Sequence, residues 1–336
     1  MRWIAVAGFV MTAWGTSALA APPATLAIST DNDLFSPTST DRDFTAGLAV
    51  TYSSRSAPAW GSMASAALTG LDGLLATDLA VKPLAYSLEL GAYGFTPEKI
   101  EAANIQFDDR PYSSLVYASI SHSYQRPESR DGWTTSLTLG ALGLNLFEAG
   151  QNAIHPIVGS DTAEGWDHQV ADGGEPTLRY SAAYHHYLGY APDSQFKLTG
   201  YGSVGYLTEA GIALVFREGL ISSPDNRFNP ELSTYGERGP ALATGRASES
   251  YFWGGLALKA RAYNAFLQGQ FRDSAHTLAT ADLHTVLAEA WAGYTYSLTD
   301  ELKLSYVLRV QSSEIKRGQG DRTLAWGGLV LSRSLR

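Results

Sequence analysis

The sequence predicts an all-β fold: a transmembrane antiparallel β-barrel of twelve strands, with a short helix in an outer loop. Three observations carry this expectation. The chain opens like an exported protein. Behind that opening, no apolar run approaches the ~20 residues a membrane-spanning helix needs. The remainder is a succession of long alternating segments in a chain with 18 Tyr, 8 Trp, 12 Phe and 33 Gly, a composition that suits a barrel with aromatic girdles.

The opening comes first. Arg2 gives a positive start, Ile4 to Val10 begin an apolar stretch, and Ala18-Leu19-Ala20 place small residues ahead of a cleavage point before Ala21. That is the layout of a signal peptide, and the apolar stretch is short for a membrane anchor. Residues 1–20 are therefore expected to be a signal peptide, and 21–336 a single barrel domain in the outer membrane of a Gram-negative bacterium. The chain has no cysteine, so no disulfide framework is available to it. A net charge of −9 argues against a nucleic-acid partner. A monomer is expected.

The strands are read from period-2 alternation. In 301–311, Leu302, Leu304, Tyr306, Leu308 and Val310 share one face, while Glu301, Lys303, Ser305, Arg309 and Gln311 share the other. Similar runs lie at 24–32, 44–54, 84–92, 113–125, 132–144, 176–188, 250–260, 263–272, 284–297 and 323–333. Many are about 9–13 residues long, near the length of a tilted membrane strand and longer than the usual ~5–6 of a sandwich strand. The stretch 196–217 decides the count. Its apolar residues Phe196, Leu198, Val204, Tyr206, Ile212, Leu214 and Phe216 keep one phase throughout. It therefore reads as one long strand, giving the even number that single-chain bacterial barrels show. The outward connections are then 33–43, 93–112, 145–175, 218–249, 273–283 and 312–322. Segment 55–83, on the other side, is long and Ala/Leu/Gly-rich, and a small helix is plausible there.

Three clusters at outer strand ends or in outer loops could carry chemistry. The first is Ser29-Thr30-Asp31-Asn32-Asp33 followed by Thr40-Asp41-Arg42-Asp43-Phe44-Thr45-Ala46-Gly47. Its acidic and amide oxygens suit a hard cation such as Ca²⁺, although composition alone favours a solvated polar hairpin loop. The second is Asp108-Asp109-Arg110-Pro111-Tyr112, where Arg110 offers a grip on phosphate or carboxylate. In the third, residues 147–155 read as a short helix stopped by Pro156. Gln151 and His155 there are four apart and share a face, so His155 is a candidate general base. His185 and His186 point to opposite faces of one strand and form no joint site. Neither G-x-S-x-G nor H-E-x-x-H is present.

Taken together these pieces resemble the lipid A 3'-O-deacylase family, the LpxR-type outer-membrane enzymes. The matching residues are Asp31-Asn32-Asp33 with Phe35, Thr40-Asp41-Arg42 with Phe44-Thr45 and Gly47, Phe95-Thr96-Pro97, Asp109-Arg110-Pro111-Tyr112, Gln151 with His155, Gly165-Trp166-Asp167 with Gln169, and Phe271-Arg272-Asp273-Ser274. The resemblance implies a twelve-stranded barrel and hydrolysis of the 3'-linked acyl ester of lipid A in the outer leaflet. It implies His155 as the base activating water, with Gln151 on its helix face. It implies a bound Ca²⁺ beside Asn32, Asp33 and Thr45, and Arg110 on the sugar phosphate or the ester. Asp161 is a further expected metal ligand, with Glu164 as its substitute. The chain departs from the family at Asp109, where a basic residue can stand, and at Ser113-Ser114. Two other readings remain: a non-enzymatic barrel, a pore or structural protein, for which little conductance is expected if the inward charges Glu89, Arg179, Lys197, Glu289 and Arg309 pair and plug the lumen, and an outer-membrane phospholipase using Ser274 as nucleophile.

Overall fold

The computed structural model describes residues 24–37, 42–57, 61–75, 82–145, 147–152, 162–223, 227–239 and 248–335. The expected signal peptide, His155 and Asp161 lie outside them. Twelve antiparallel strands close on themselves. They are β1 (Ala24–Asn32), β2 (Asp43–Ser54), β3 (Ala85–Thr96), β4 (Ser113–Gln125), β5 (Gly132–Leu142) and β6 (Glu175–Ala191). The second half holds β7 (Ser194–Gly205), β8 (Leu207–Leu220), β9 (Ser250–Asn264), β10 (Val286–Ser297), β11 (Leu302–Gln311) and β12 (Leu324–Leu335). Each strand pairs with its chain neighbours, and β1 meets β12 from Ala24↔Leu335 to Asn32↔Gly327, so no edge is left open. Helix α1 (Ser62–Leu75) lies between β2 and β3, and the four-residue α2 (Ala265–Gln268) follows β9.

The alternation does what the sequence indicates. On β11 the side chains of Leu304, Tyr306 and Val310 are exposed, while Lys303, Arg309 and Gln311 are buried. An apolar face turned outward and a charged face turned inward is the arrangement of a membrane barrel, inverted from a soluble one.

Two strand readings are corrected. The stretch 196–217 is two strands, β7 and β8, joined at Gly205 and Tyr206. Their register pairs Phe196 with Phe216 and Leu198 with Leu214. Paired positions here always have the same parity, so the hairpin reverses direction without resetting the phase. Gly205 makes the reversal with φ 135, and a Cβ there would lie 2.1 Å from Leu178 O. The run 263–272 is not a strand: β9 ends at Asn264, whose side chain caps α2 by accepting from Phe266 N at 3.0 Å. The two errors offset one another, so twelve strands stand.

The loop assignment changes with them. The connection 221–249 leaves β8 at the end that carries the chain termini, not at the outward end. Its residues 227–239 enter the lumen and bond the inward faces of the strands. Lys197 pairs with Glu231 at 2.9 Å, Arg179 with Glu237 at 3.0 Å, and Arg238 with Asp31 at 2.5 Å. Arg309 bonds both Glu289 (2.7 Å) and Pro230 O (2.6 Å), and Lys259 joins Glu289 at 2.8 Å. Glu89 accepts from Thr51, Tyr117 and Arg238 N. Of the five charges expected to pair across the lumen, Arg309 pairs with Glu289 and Arg179 and Lys197 pair with this inserted segment, while Glu89 is held by neutral donors. At its top, Tyr235 stacks on Phe44 at 5.6 Å in an aromatic cluster with Tyr93, Phe95 and Trp326.

Candidate active site

The site begins at a bulge. Along β2 and β3 the pairing runs evenly from Ser54↔Tyr86 to Ala46↔Gly94, then shifts, so that Phe44 opposes Phe95 and Thr45 is the inserted residue. Phe44 thereby keeps its ring in the lumen. Thr45 turns to the outer face of the wall, re-aimed as bulges re-aim side chains. On β1 the lumen takes Asp31, which bonds Arg238, so the next side chain, Asn32, faces outward toward Thr45. Asn32 Nδ2 donates to Thr45 O, and Asn32 Oδ1 accepts from Leu34 N at 2.7 Å, capping the 3-10 turn that starts with Asp33. Asp33 is buried and accepts from Arg42 N at 2.5 Å.

Over this patch lies the β5–β6 loop. Residues 147–152 are helical. Phe147 lies on Gly94, on the outer face of β3, where an added Cβ would meet the ring at 2.7 Å. Gln151 reaches down: its Nε2 donates to Thr45 Oγ1 at 3.1 Å and its Oε1 accepts from Trp166 Nε1 at 2.7 Å. The indole thus fixes which end of the amide meets Thr45. Trp166 is buried against Tyr112 (4.9 Å) and Phe147 (5.5 Å). Gly165 is required there, since a Cβ would come within 2.4 Å of the Tyr112 ring. Asn152 exchanges two bonds with Ala163, tying the start of the loop to its return.

Asn32, Asp33, Thr45 and Gln151 are thus brought together outside the barrel wall, under a short helix. Arg110 is not with them. Its guanidinium is buried at the mouth of the barrel, 2.7 Å from Glu314, 3.3 Å from Asp43 and over the Phe95 ring at 4.9 Å. The charge of Arg110, expected on the sugar phosphate or the ester, here faces two buried carboxylates, Asp43 and Glu314. Asp109, the acidic departure, serves the same network by pairing with Arg322 at 2.9 Å and accepting from Glu98 N. Burial alone would raise the Glu314 carboxyl. Arg261, then Arg110 and Lys259, outweigh burial and hold it below the usual carboxylate range.

Other sequence candidates have structural employment. Ser114 donates to Gln169 at 2.9 Å. Ser274 accepts from Ala171 N, and Arg272 bonds Asp172 O and Gly174 O, so 271–274 latches the β9–β10 loop to the β5–β6 loop. Glu164 is exposed and holds Ile100 O through its backbone. The sequence reading missed Trp166 as the partner of Gln151. Its nearness to Gly165 in a polar loop was the available signal, because a buried indole needs both a close-packing neighbour and an acceptor. Among the described residues no three His, Cys, Asp or Glu side chains cluster as a metal site.

A closed barrel with an apolar outer face and a helix-covered polar cluster on its outer wall has the architecture of an outer-membrane β-barrel protein. Residues 3–335 match the family model described as outer membrane protein LpxR, and the chain belongs to that family, one of lipid A 3'-O-deacylases, which are ester hydrolases. The solved structure of LpxR from Salmonella typhimurium is similar over 92% of this chain and 99% of that one, with a TM-score of 0.68 at 16% identity, and shares the fold. An outer-membrane channel from Pseudomonas putida F1 covers 95% of this chain and 97% of its own, with a TM-score of 0.44 and 11% identity. A comparison with curated proteins found no match.

Proposed function

We propose that this protein is a Ca²⁺-dependent hydrolase that removes the 3'-linked acyl chain of lipid A in the outer leaflet, with His155 as the general base. The observation that carries the reading is the pairing of Thr45 with Gln151 on the outside of the wall. It seats the loop helix over Asn32 and Asp33, and in the sequence His155 follows Gln151 by four residues, the spacing of one helical turn. A site there faces the layer in which the ester lies, so substrate reaches it laterally.

The donor set fits a hard cation. Asp33 offers a carboxylate, Thr45 a carbonyl and a hydroxyl, and Asn32 an amide, all oxygen donors suited to Ca²⁺, with Asp161 as a further ligand. A bound Ca²⁺ supplies Lewis-acid stabilisation of the negative charge that grows on the ester oxygen. The chain's own residues do the rest. His155, in its neutral form, takes a proton from water as that water attacks the acyl carbonyl. It returns the proton to the sugar 3'-oxygen as the C–O bond breaks, releasing a fatty acid and a free hydroxyl. Gln151 ties the helical residues 147–152 to Thr45.

The test is mass spectrometry of lipid A from cells expressing the protein or its His155→Ala form, with Ca²⁺ present and then chelated. The expected result is loss of one 3'-linked acyl mass that needs both His155 and Ca²⁺. A fully active His155→Ala protein would overturn the assignment.

A further inference from the structure

Helix α1 joins β2 to β3 at the terminal end, where an ordinary connection would lie in water. Its contacts place it elsewhere. The bonds Tyr117–Glu89 (2.6 Å) and Ser87–Ser121 (2.7 Å) put the odd-numbered residues of β3 and β4 in the lumen, and Thr138–Ser119 (2.9 Å) puts the even-numbered residues of β5 there. Arg179–Glu237 does the same for the odd residues of β6. By alternation, His122, Tyr124, Thr135 and Tyr180 all face outward. These are the residues α1 binds. Ser65 Oγ lies 2.9 Å from His122 Nε2. Asp72 accepts from Tyr124 (2.6 Å), Thr135 (2.9 Å) and Tyr180 (3.0 Å), with His122 Nδ1 at 3.3 Å. The helix therefore rests on the outside of the barrel, over the wall of β4 and β5.

Ser65, Leu68 and Asp72 recur at helical spacing and are buried against that wall. The opposite face exposes Met63 and Leu74, Leu71 and Leu75 are partly exposed nearer the wall, and Asp72 is the only charged residue of the helix. Beside it the bare wall exposes Leu90, Leu139 and Leu178, on the outward faces of β3, β5 and β6. The helix's apolar face continues this lipid-facing belt without a charged break. The clamp also lies within the strands, since His122 precedes the end of β4 at Gln125. Ser65, His122 and Asp72 are ordered like a nucleophilic triad, but the carboxylate is shared among three hydroxyls and Ser65 is turned into the helix–wall interface, so these groups act as fasteners.

We infer that α1 is a lipid-embedded helix, clamped to the barrel wall by Asp72 and His122, whose outer face packs against phospholipid acyl chains of the inner leaflet. A carboxylate at that depth is tolerated because each of its oxygens is satisfied; left unpaired in hydrocarbon it would cost several kcal/mol. The clamp holds an otherwise slender helix in lipid rather than in the periplasm.

The chain has no cysteine, so single-cysteine spin labelling has no background. A nitroxide on Leu74→Cys, in full-length protein reconstituted into phosphatidylethanolamine–phosphatidylglycerol vesicles, is expected to collide with oxygen far more than with a nickel chelate. Leu139→Cys on the bare wall should do likewise, and Phe107→Cys in an outer loop should show the reverse. Asp72→Ala is expected to raise nickel access at Leu74→Cys several-fold while heat-modifiable migration shows the barrel still assembled. A Leu74→Cys label that reads like the Phe107→Cys label overturns the inference, and so does one shielded from both relaxers, which would mean a second copy or another protein covers the face.

Discussion

Thr45 and Arg110 were both candidates in the sequence, and the structure sends them to opposite sides of one wall. For Thr45 the cause is the inserted residue between Phe44 and Ala46, which no alternation pattern announces: read by parity alone, Thr45 belongs in the lumen. For Arg110 the cause is the pair of acids that arrives from distant loops, Asp43 and Glu314. Residue type was legible; the partners, 204 positions apart in the case of Glu314, were not. The Arg110 network makes a pH prediction. Glu314 is held below its ordinary value, so it contributes stability that is fully present above the unfolded carboxylate range, near pH ~4.3. That contribution disappears as pH falls through the lower folded value. Heat-modifiable migration across a pH series should therefore show constant resistance near neutrality and a fall on the acid side. Glu314→Gln should lower resistance at neutral pH by about 1–3 kcal/mol and make the acid fall shallower. An unchanged acid limb in Glu314→Gln would remove this residue from the account.

At the level of elements, strands were legible and hairpins were not. Ten of the strand segments carried enough alternation to be placed. The β7–β8 turn was hidden because partners of equal parity leave the apolar phase continuous, and the false strand at 263–272 was apolar enough to imitate one. The largest consequence concerns 227–239, which this miscount placed outside the cell. It is a plug entering from the terminal end. Its Glu231, Glu237 and Arg238 each meet a lumen charge, and Tyr235 reaches the aromatic cluster behind Thr45. A lumen filled in this way blocks bulk ion flow. In planar bilayers the intact protein should show no ion conductance. A variant in which 224–247 is replaced by a short turn should show discrete openings, since Lys197, Arg179 and Arg309 would then be hydrated rather than paired. Steady conductance by the intact protein would mean that the segment leaves the lumen in a membrane.

Across the described residues the wall divides labour: the inside carries the ion pairs that hold the barrel, and the outside carries α1, the helical residues 147–152 and the candidate chemistry. Two glycines three residues apart on β3 test that division. Gly91 faces inward, where a Cβ would come 2.5 Å from the Tyr117 hydroxyl, the group that binds Glu89. Gly94 faces outward, where a Cβ would meet Phe147 at 2.7 Å. Gly94→Leu must lift the loop helix from the wall and draw Gln151 away from Thr45. A shift of about 1 Å in a reacting group can cost on the order of 100-fold in rate. Lipid A deacylation should fall by at least that factor while heat resistance hardly changes, because the displaced ring lies toward lipid and loop rather than in the lumen. Gly91→Leu should do the opposite, disturbing Tyr117 and the plug and lowering heat resistance by about 1–3 kcal/mol, while molecules that remain folded keep their deacylation rate. If both substitutions damaged stability and activity equally, lumen and outer wall would be one coupled unit, and the site could not be the separate, wall-mounted one proposed on the Thr45–Gln151–Trp166 hydrogen bonds.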